Sequence, residues 1–119
     1  MRWSRCEGTR KFLQSQVDIR VRFHEVDILR VVWHGHYLQY FEEARNAFGR
    51  DHQFDYDDLQ RAGLLVPIVH AEVDYVAPAR FGDILTVRAR LYPDLGARIK
   101  FSYLVTNARG QTLARGRSV

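Results

Sequence analysis

Between residues 16 and 23 the chain alternates strictly. Val17, Ile19, Val21 and Phe23 lie on one side and Asp18, Arg20 and Arg22 on the other. Successive strand side chains point to opposite faces, so this period predicts a strand with one face on a core. The alternation breaks over 24–30, a polar stretch that reads as a loop, and a short apolar run follows, Val31-Val32-Trp33. From His36 the period becomes helical. Tyr37, Tyr40, Phe41, Ala44 and Phe48 fall at i, i+3, i+4, i+7 and i+11, with Gln39, Glu42, Glu43 and Asn46 opposite. Acids early in this helix suit its positive end, and Gly49 reads as its stop.

Residues 55–62 predict a second, short helix ended by Gly63. Beyond it the chain is strand-like. Residues 64–75 are long and mostly apolar, with Pro67 confining the start to an edge or bulge. Residues 76–83 read as a turn, 84–92 as a strand with Arg88 and Arg90 on one face, and 93–96 as a tight turn. Residues 98–106 set Arg98, Lys100 and Ser102 against Ile99, Phe101 and Tyr103. Residues 107–110 turn again and 112–119 begin a last strand, where the chain is either clipped or simply ends. One strand, one long helix and a meander of antiparallel strands make an α+β two-layer domain, the helix covering the apolar side of the sheet.

Composition narrows the class without changing this picture. A chain of 119 residues, 46% hydrophobic and 27% charged, suits one globular domain with a single core. It contains no apolar run of about 18 residues, so no membrane span is predicted. The single cysteine, Cys6, excludes an internal disulfide and favours a reducing, cytoplasmic compartment. Residues 1–16 lack the apolar core and cleavage site of a signal peptide and read as a flexible extension before a domain over 17–119.

Charge is unevenly spread. Residues 1–16 carry +3, residues 17–97 set nine arginines against thirteen acids, and 98–119 hold five basic residues and no acid. A basic tip on a mildly acidic body fits a small polyanion better than a nucleic-acid groove, although solubility alone is the simpler reading. No nucleic-acid partner is expected. The basic pairs two apart (Arg20/Arg22, Arg88/Arg90, Arg98/Lys100, Arg115/Arg117) are most simply the wet face of strands. Their sharper reading is that Arg98 and Lys100 hold phosphates.

Candidate chemistry gathers where the first loop meets the long helix. A carboxylate, Asp27, lies on one side of the apolar run, and His34-Gly35-His36 opens the helix on the other. Ester or thioester cleavage needs a base or nucleophile and donors where charge develops on oxygen. Asp27 offers the first; the unpaired amides of a helix start, at 34–36, offer the second. Gly35 allows a backbone or ligand to approach closely. The plain readings stand beside these: a loop aspartate that caps a turn, and a His34 that faces solvent or packs in the core. A metal site among His24, Glu25, Asp27, His34 and His36 fits poorly, since histidines two apart do not share a helix face. Neither a Gly-rich phosphate loop nor a Gly-x-Ser-x-Gly elbow is present, and Cys6 is a poor nucleophile candidate.

Several of these residues occur together in one known pattern. Val21-Arg22-Phe23 through Asp27, then Val31-Val32-Trp33-His34 and Tyr37-x-x-Tyr40-Phe41-Glu42-x-Ala44-Arg45, resembles the signature of the 4-hydroxybenzoyl-CoA thioesterase family, which includes YbgC-type enzymes. Tyr75-x-x-Pro78-Ala79-Arg80-Phe81-Gly82-Asp83 resembles the family's later turn. The resemblance covers about 17–119 and implies a hotdog fold, an antiparallel sheet wrapped around the long helix. It implies an acyl-CoA or acyl-carrier-protein thioesterase with Asp27 as nucleophile or general base. By the same resemblance the amides of His34 and Gly35 form the oxyanion hole, and the His34 side chain also faces the carbonyl. Arg98 and Lys100 lie near the family's coenzyme A phosphate contacts. A homodimer or homotetramer with sites at subunit interfaces is implied as well.

Three departures bear on rate and substrate choice: Glu25 where the family has aspartate, Arg30 where it has glycine, and Phe23 where YbgC-type enzymes have tyrosine. Trp33 and Tyr37 are candidates for the acyl pocket or for the core. Thioester hydrolysis calls for no metal or redox cofactor, coenzyme A arriving as part of the substrate. The competing expectations are a non-catalytic acyl-CoA-binding protein and an acyl dehydratase, the latter hinted at only by His70 and Glu72.

Overall fold

A computed structural model describes residues 13–52, 68–92 and 100–119 of the chain. Five strands, β1 (Leu13–Arg20), β2 (Ala71–Tyr75), β3 (Ile84–Tyr92), β4 (Lys100–Thr106) and β5 (Thr112–Ser118), form one antiparallel sheet in the order β1-β3-β4-β5-β2. A helix, α1 (His36–Asp51), lies on its inner face, chiefly against β1 and β3. The expected short helix at 55–62, its stop at Gly63 and the turn at 93–96 lie outside the described residues.

Alternation places the core. Leu85, Val87 and Ala89 of β3 point inward and are fully buried, as are Val105 of β4 and Ala114 of β5. The helical stripe read from the sequence is the buried one: Tyr37, Tyr40, Phe41, Ala44 and Phe48, joined by Ala47. Phe41 lies flat on Tyr103 with centroids 4.3 Å apart. Its ring also covers Gly116, where a Cβ would come within 2.3 Å of it. Only glycine lets the helix sit this close to β5.

Several element boundaries differ from expectation. The first strand spans Leu13–Arg20 rather than 16–23, pairing with β3 from Leu13↔Leu91 to Arg20↔Ile84. Its opening residues, Gln14, Ser15 and Gln16, carry no apolar alternation, and backbone pairing places them in the sheet instead of in the expected extension. At the other end a 3₁₀ turn over Phe23–Glu25 breaks the register, leaving Phe23 77% exposed and turning Glu25 inward. Helix α1 continues through the buried Gly49 to Asp51, because that glycine keeps helical backbone and so does not cap. Of the strand expected over 64–75, the described part forms a strand only at Ala71–Tyr75. Among the described residues no helix is long and apolar enough to cross a membrane.

Candidate active site

Asp27 opens a tight hairpin turn. Its N–H donates to the Val31 carbonyl (2.9 Å), its carbonyl accepts from Arg30 N–H (2.8 Å), and its Oδ1 accepts from Leu29 N–H (2.8 Å). The turn 80 residues later has the same bonds. There Asn107 N–H donates to Gln111 O (3.0 Å), Gly110 N–H to Asn107 O (2.9 Å) and Arg109 N–H to Asn107 Oδ1 (3.0 Å). A three-residue loop of this kind needs a left-handed residue before the return strand. Gly110 supplies it at φ 79°, and Arg30 supplies it at φ 65°. The left-handed backbone at position 30 suits the glycine that the family resemblance leads one to expect there, and Arg30 adopts it under strain. The turn-forming reading of Asp27 therefore holds for Oδ1, while Oδ2 takes no part in the turn.

The hairpin is clamped to its surroundings from beneath. Glu25 is 2% exposed; its Oε1 accepts from Arg22 N–H (2.8 Å) and from the Tyr40 hydroxyl (3.0 Å), and Oε2 lies 3.6 Å from the Arg22 guanidinium. Tyr40 belongs to the buried face of α1, so this carboxylate ties the loop carrying Asp27 to the helix. Burial, and then the Glu25 charge, raise the Tyr40 pKa far above its ordinary value, which keeps the hydroxyl a donor. Trp33 N–H donates to Glu25 O (2.9 Å) and Val32 N–H to Ala79 O (2.8 Å), fixing the segment that leads into the helix. The sequence places Glu25 in a polar loop, as a departure from the family's aspartate and a poor metal-site candidate, and does not mark it as buried. The available signal was Tyr40, since a tyrosine within an apolar stripe needs a partner for its hydroxyl.

At the helix start, Gly35 is the N-cap residue and His36 the first helical one. The His36 amide donates to Trp33 O (3.0 Å), so it is not one of the open donors expected at 34–36. The amides of His34 and Gly35 have no acceptor among the described residues. His34 is exposed, its carbonyl accepting from the Tyr75 hydroxyl (2.9 Å) at the end of β2. The close approach that Gly35 permits is that of the Trp33 indole, whose Cζ3 would lie 2.3 Å from an added Cβ. The same ring packs against both His34 (4.9 Å) and His36 (5.5 Å).

The other candidates fall apart from one another. Trp33 is half-exposed beside the helix start, whereas Tyr37 is a core residue, edge-on to Tyr40 and Tyr75. Burial raises the Tyr37 pKa, with Tyr75 adding to the effect. Lys100 begins β4 opposite Tyr92, and Arg98 lies outside the described residues. His70 and Glu72 do pair (2.9 Å), but the pair is exposed, and Arg117 binds the other Glu72 oxygen (2.9 Å). The carboxyl of Glu72 is held below its usual range by the bond from His70 and then by Arg117. No group of three or more His, Cys, Asp or Glu converges among the described residues.

Comparison with known proteins places these features in a family. Residues 21–119 match the model of the thioesterase-like superfamily. YneP of Bacillus subtilis, provisionally named an acyl-CoA thioesterase, is 30% identical over 97 residues, covering 82% of this chain and 70% of its own. The acyl-CoA thioester hydrolase YbgC of Escherichia coli is 28% identical over 95 residues, 80% of this chain and 71% of its own. The 1,4-dihydroxy-2-naphthoyl-CoA thioesterase of Synechocystis superposes with a TM-score of 0.81 at 26% identity, over 89% of this chain and 79% of that one. With its five-stranded antiparallel sheet and single long described helix, the chain belongs to the thioesterase-like superfamily of hotdog-fold enzymes.

Proposed function

We propose that the protein hydrolyses the thioester of an acyl-CoA, or of an acyl-carrier protein, to a free acid and a thiol. The observation that carries this reading is the division of labour at Asp27. Among the described residues one oxygen holds the turn and the other is uncommitted, and the hairpin is tied by Glu25 and Tyr40 to the helix whose preceding amides, at His34 and Gly35, lack acceptors there.

Two routes are open to this carboxylate. In the first, its free oxygen attacks the thioester carbon, the C–S bond breaks with loss of thiolate, and water hydrolyses the resulting anhydride. In the second, it takes a proton from water as the water oxygen attacks the same carbon. In both, negative charge builds on the carbonyl oxygen, where the His34 and Gly35 amides stabilise it. The exposed His34 ring is available to carry a proton to the departing sulfur. Positioning, a base and oxyanion donors suffice, so the reaction calls for no metal or redox cofactor.

Trp33 is the better candidate for acyl contact, being half-exposed, while Tyr37 supports the site from the core. Arg98 and Lys100 remain candidates for the phosphates of coenzyme A. Exposed apolar residues at the end of β2 and beside the helix start, Tyr75 and Val76 with Trp33, support assembly through the β2 side into a dimer or tetramer that completes the pocket. One cysteine in 119 residues supports a reducing, cytoplasmic setting.

Thiol release from a panel of acyl-CoAs and acyl-carrier-protein thioesters by the wild type and by Asp27→Ala tests the reading. Turnover by the wild type on at least one member, with kcat lower by roughly 10²-fold or more in the variant, is expected. No turnover by the wild type on any acyl-CoA or acyl-carrier-protein thioester, or equal rates in the two proteins, would contradict it and leave acyl-CoA binding without catalysis.

A further inference from the structure

Two of the arginine pairs noted in the sequence meet across β4. Register sets Arg90 of β3, Ser102 of β4 and Arg117 of β5 in one row on the sheet's outer face, with Arg88, Leu104 and Arg115 in the next. Flanking strands of a three-strand set lie about 10 Å apart, and members of each pair about 7 Å apart along the strand. The four guanidinium stems thus wall a trough floored by Ser102 and Leu104. Its volume is about 340 Å³, within the range of small-molecule sites, and Glu72 and Asp74 of β2 border it on one side.

This is more than a solvated face. Arg88 and Arg90 are only half-exposed, and the Arg88 Nε–H is buried with no acceptor among the described residues. A buried donor left unpaired is costly, so the trough favours an acceptor supplied from outside the described residues, such as a ligand oxygen. Neighbours already hold two of the cations in place: Gln14 Oε1 accepts from Arg90 Nε (3.1 Å), and Glu72, itself bound by His70, accepts from Arg117 (2.9 Å). The register partner of Arg115 is Asp74, but no ion pair joins them among the described residues. The lining carries four arginines and two acids, a net positive charge.

We infer that this outer trough binds an organic diphosphate, its two phosphoryl groups bridging the Arg88/Arg90 pair and the Arg115/Arg117 pair across β4. Guanidinium forks match phosphate oxygens two at a time, and two anionic centres answer two cationic walls. The acids on β2 oppose a long polyanion such as nucleic acid, which would have to cross them. The inference is independent of the thioesterase reading: it concerns the sheet face opposite α1 and takes nothing from Asp27.

Calorimetric titration of the intact protein with inorganic pyrophosphate at low ionic strength tests it. Saturable binding is expected, weakened at least tenfold in Arg88→Gln and in Arg115→Gln with circular dichroism unchanged. Arg109→Gln, in the exposed 107–111 turn, should bind as the wild type does. Competition by coenzyme A, together with a raised KM for acyl-CoA in Arg88→Gln, would identify the occupant as the substrate's own diphosphate. Binding of pyrophosphate with KM unmoved would identify a separate diphosphate ligand. The inference is overturned if the folded protein binds no pyrophosphate, if Arg109→Gln weakens it equally, or if citrate binds as tightly. Because heat rather than turnover is read, that result would leave the hydrolase reading standing.

Discussion

Glu25 sits at the centre of the residue-scale account. A carboxylate that is 2% exposed persists because an amide, a hydroxyl and a guanidinium surround it, and the hydroxyl belongs to the long helix. Tyr40→Phe removes one of these partners and keeps the ring. It should lower unfolding stability by about 2 kcal/mol, as expected for a hydrogen bond to a charged group, read by urea titration. The same bond has an alkaline signature. Burial and Glu25 raise the folded-state pKa of Tyr40, so the native state holds its proton more tightly than the unfolded chain does. Its contribution is whole below the ordinary tyrosine value of 10.0 and declines as the pH rises from there toward the folded value. Tyr40→Phe should therefore show a shallower loss of stability above that pH, with the smaller contribution of Tyr37 remaining. The acid itself was hidden in the sequence. A glutamate in a polar loop has no periodic neighbour to mark it as buried, whereas Asp27 stood out by its place before an apolar run and a helix.

At the scale of elements, two turns with one hydrogen-bond pattern but different residues explain a substitution. Gly110 and Arg30 hold the same left-handed position, and only the first does so without steric cost. Arg30→Gly is expected to stabilise the fold by roughly 0.5–1 kcal/mol, partly offset by the greater freedom of glycine in the unfolded chain. Differential scanning calorimetry should register a rise in Tm of about 3 °C. The long helix and strand β3 were readable because their apolar residues keep a clear period over seven or more positions. Legibility failed where backbone pairing acts without side-chain pattern. Leu13–Gln16 joins the sheet through ladder bonds to β3, and Gly49 stays helical because the residues after it continue the turn.

For the molecule as a whole, the edge of the sheet that matters to the site is the one formed by β2. Among the described residues strand β2 pairs only with β5, and apolar residues in it and flanking its ends are open: Val69 is 75% exposed, Tyr75 53% and Val76 54%. An edge of this kind beside a candidate active site invites a second copy. Sedimentation equilibrium should give a mass of at least twice the 14.0 kDa chain, and Tyr75→Arg should shift it toward one chain. The helix-covered face followed from the sequence pattern; the strand order did not, since β2 pairs with β5 instead of continuing the expected meander into β3, and neither did the trough on the opposite face. Arginines two apart look like ordinary solvated positions until the register brings β3 and β5 to either side of β4.

The central claim is that the oxygen of Asp27 not used by the turn performs chemistry. Asparagine at this position preserves the turn, since Asn107 makes the same bonds in its own hairpin, but it removes the carboxylate charge. The deciding measurement is single-turnover hydrolysis of the best acyl-CoA by Asp27→Asn beside its thermal unfolding. The account predicts an unchanged Tm with the rate reduced roughly 10²-fold or more. An unchanged rate at unchanged Tm would mean that Asp27 only shapes the loop, and the hydrolytic mechanism argued for it would be wrong.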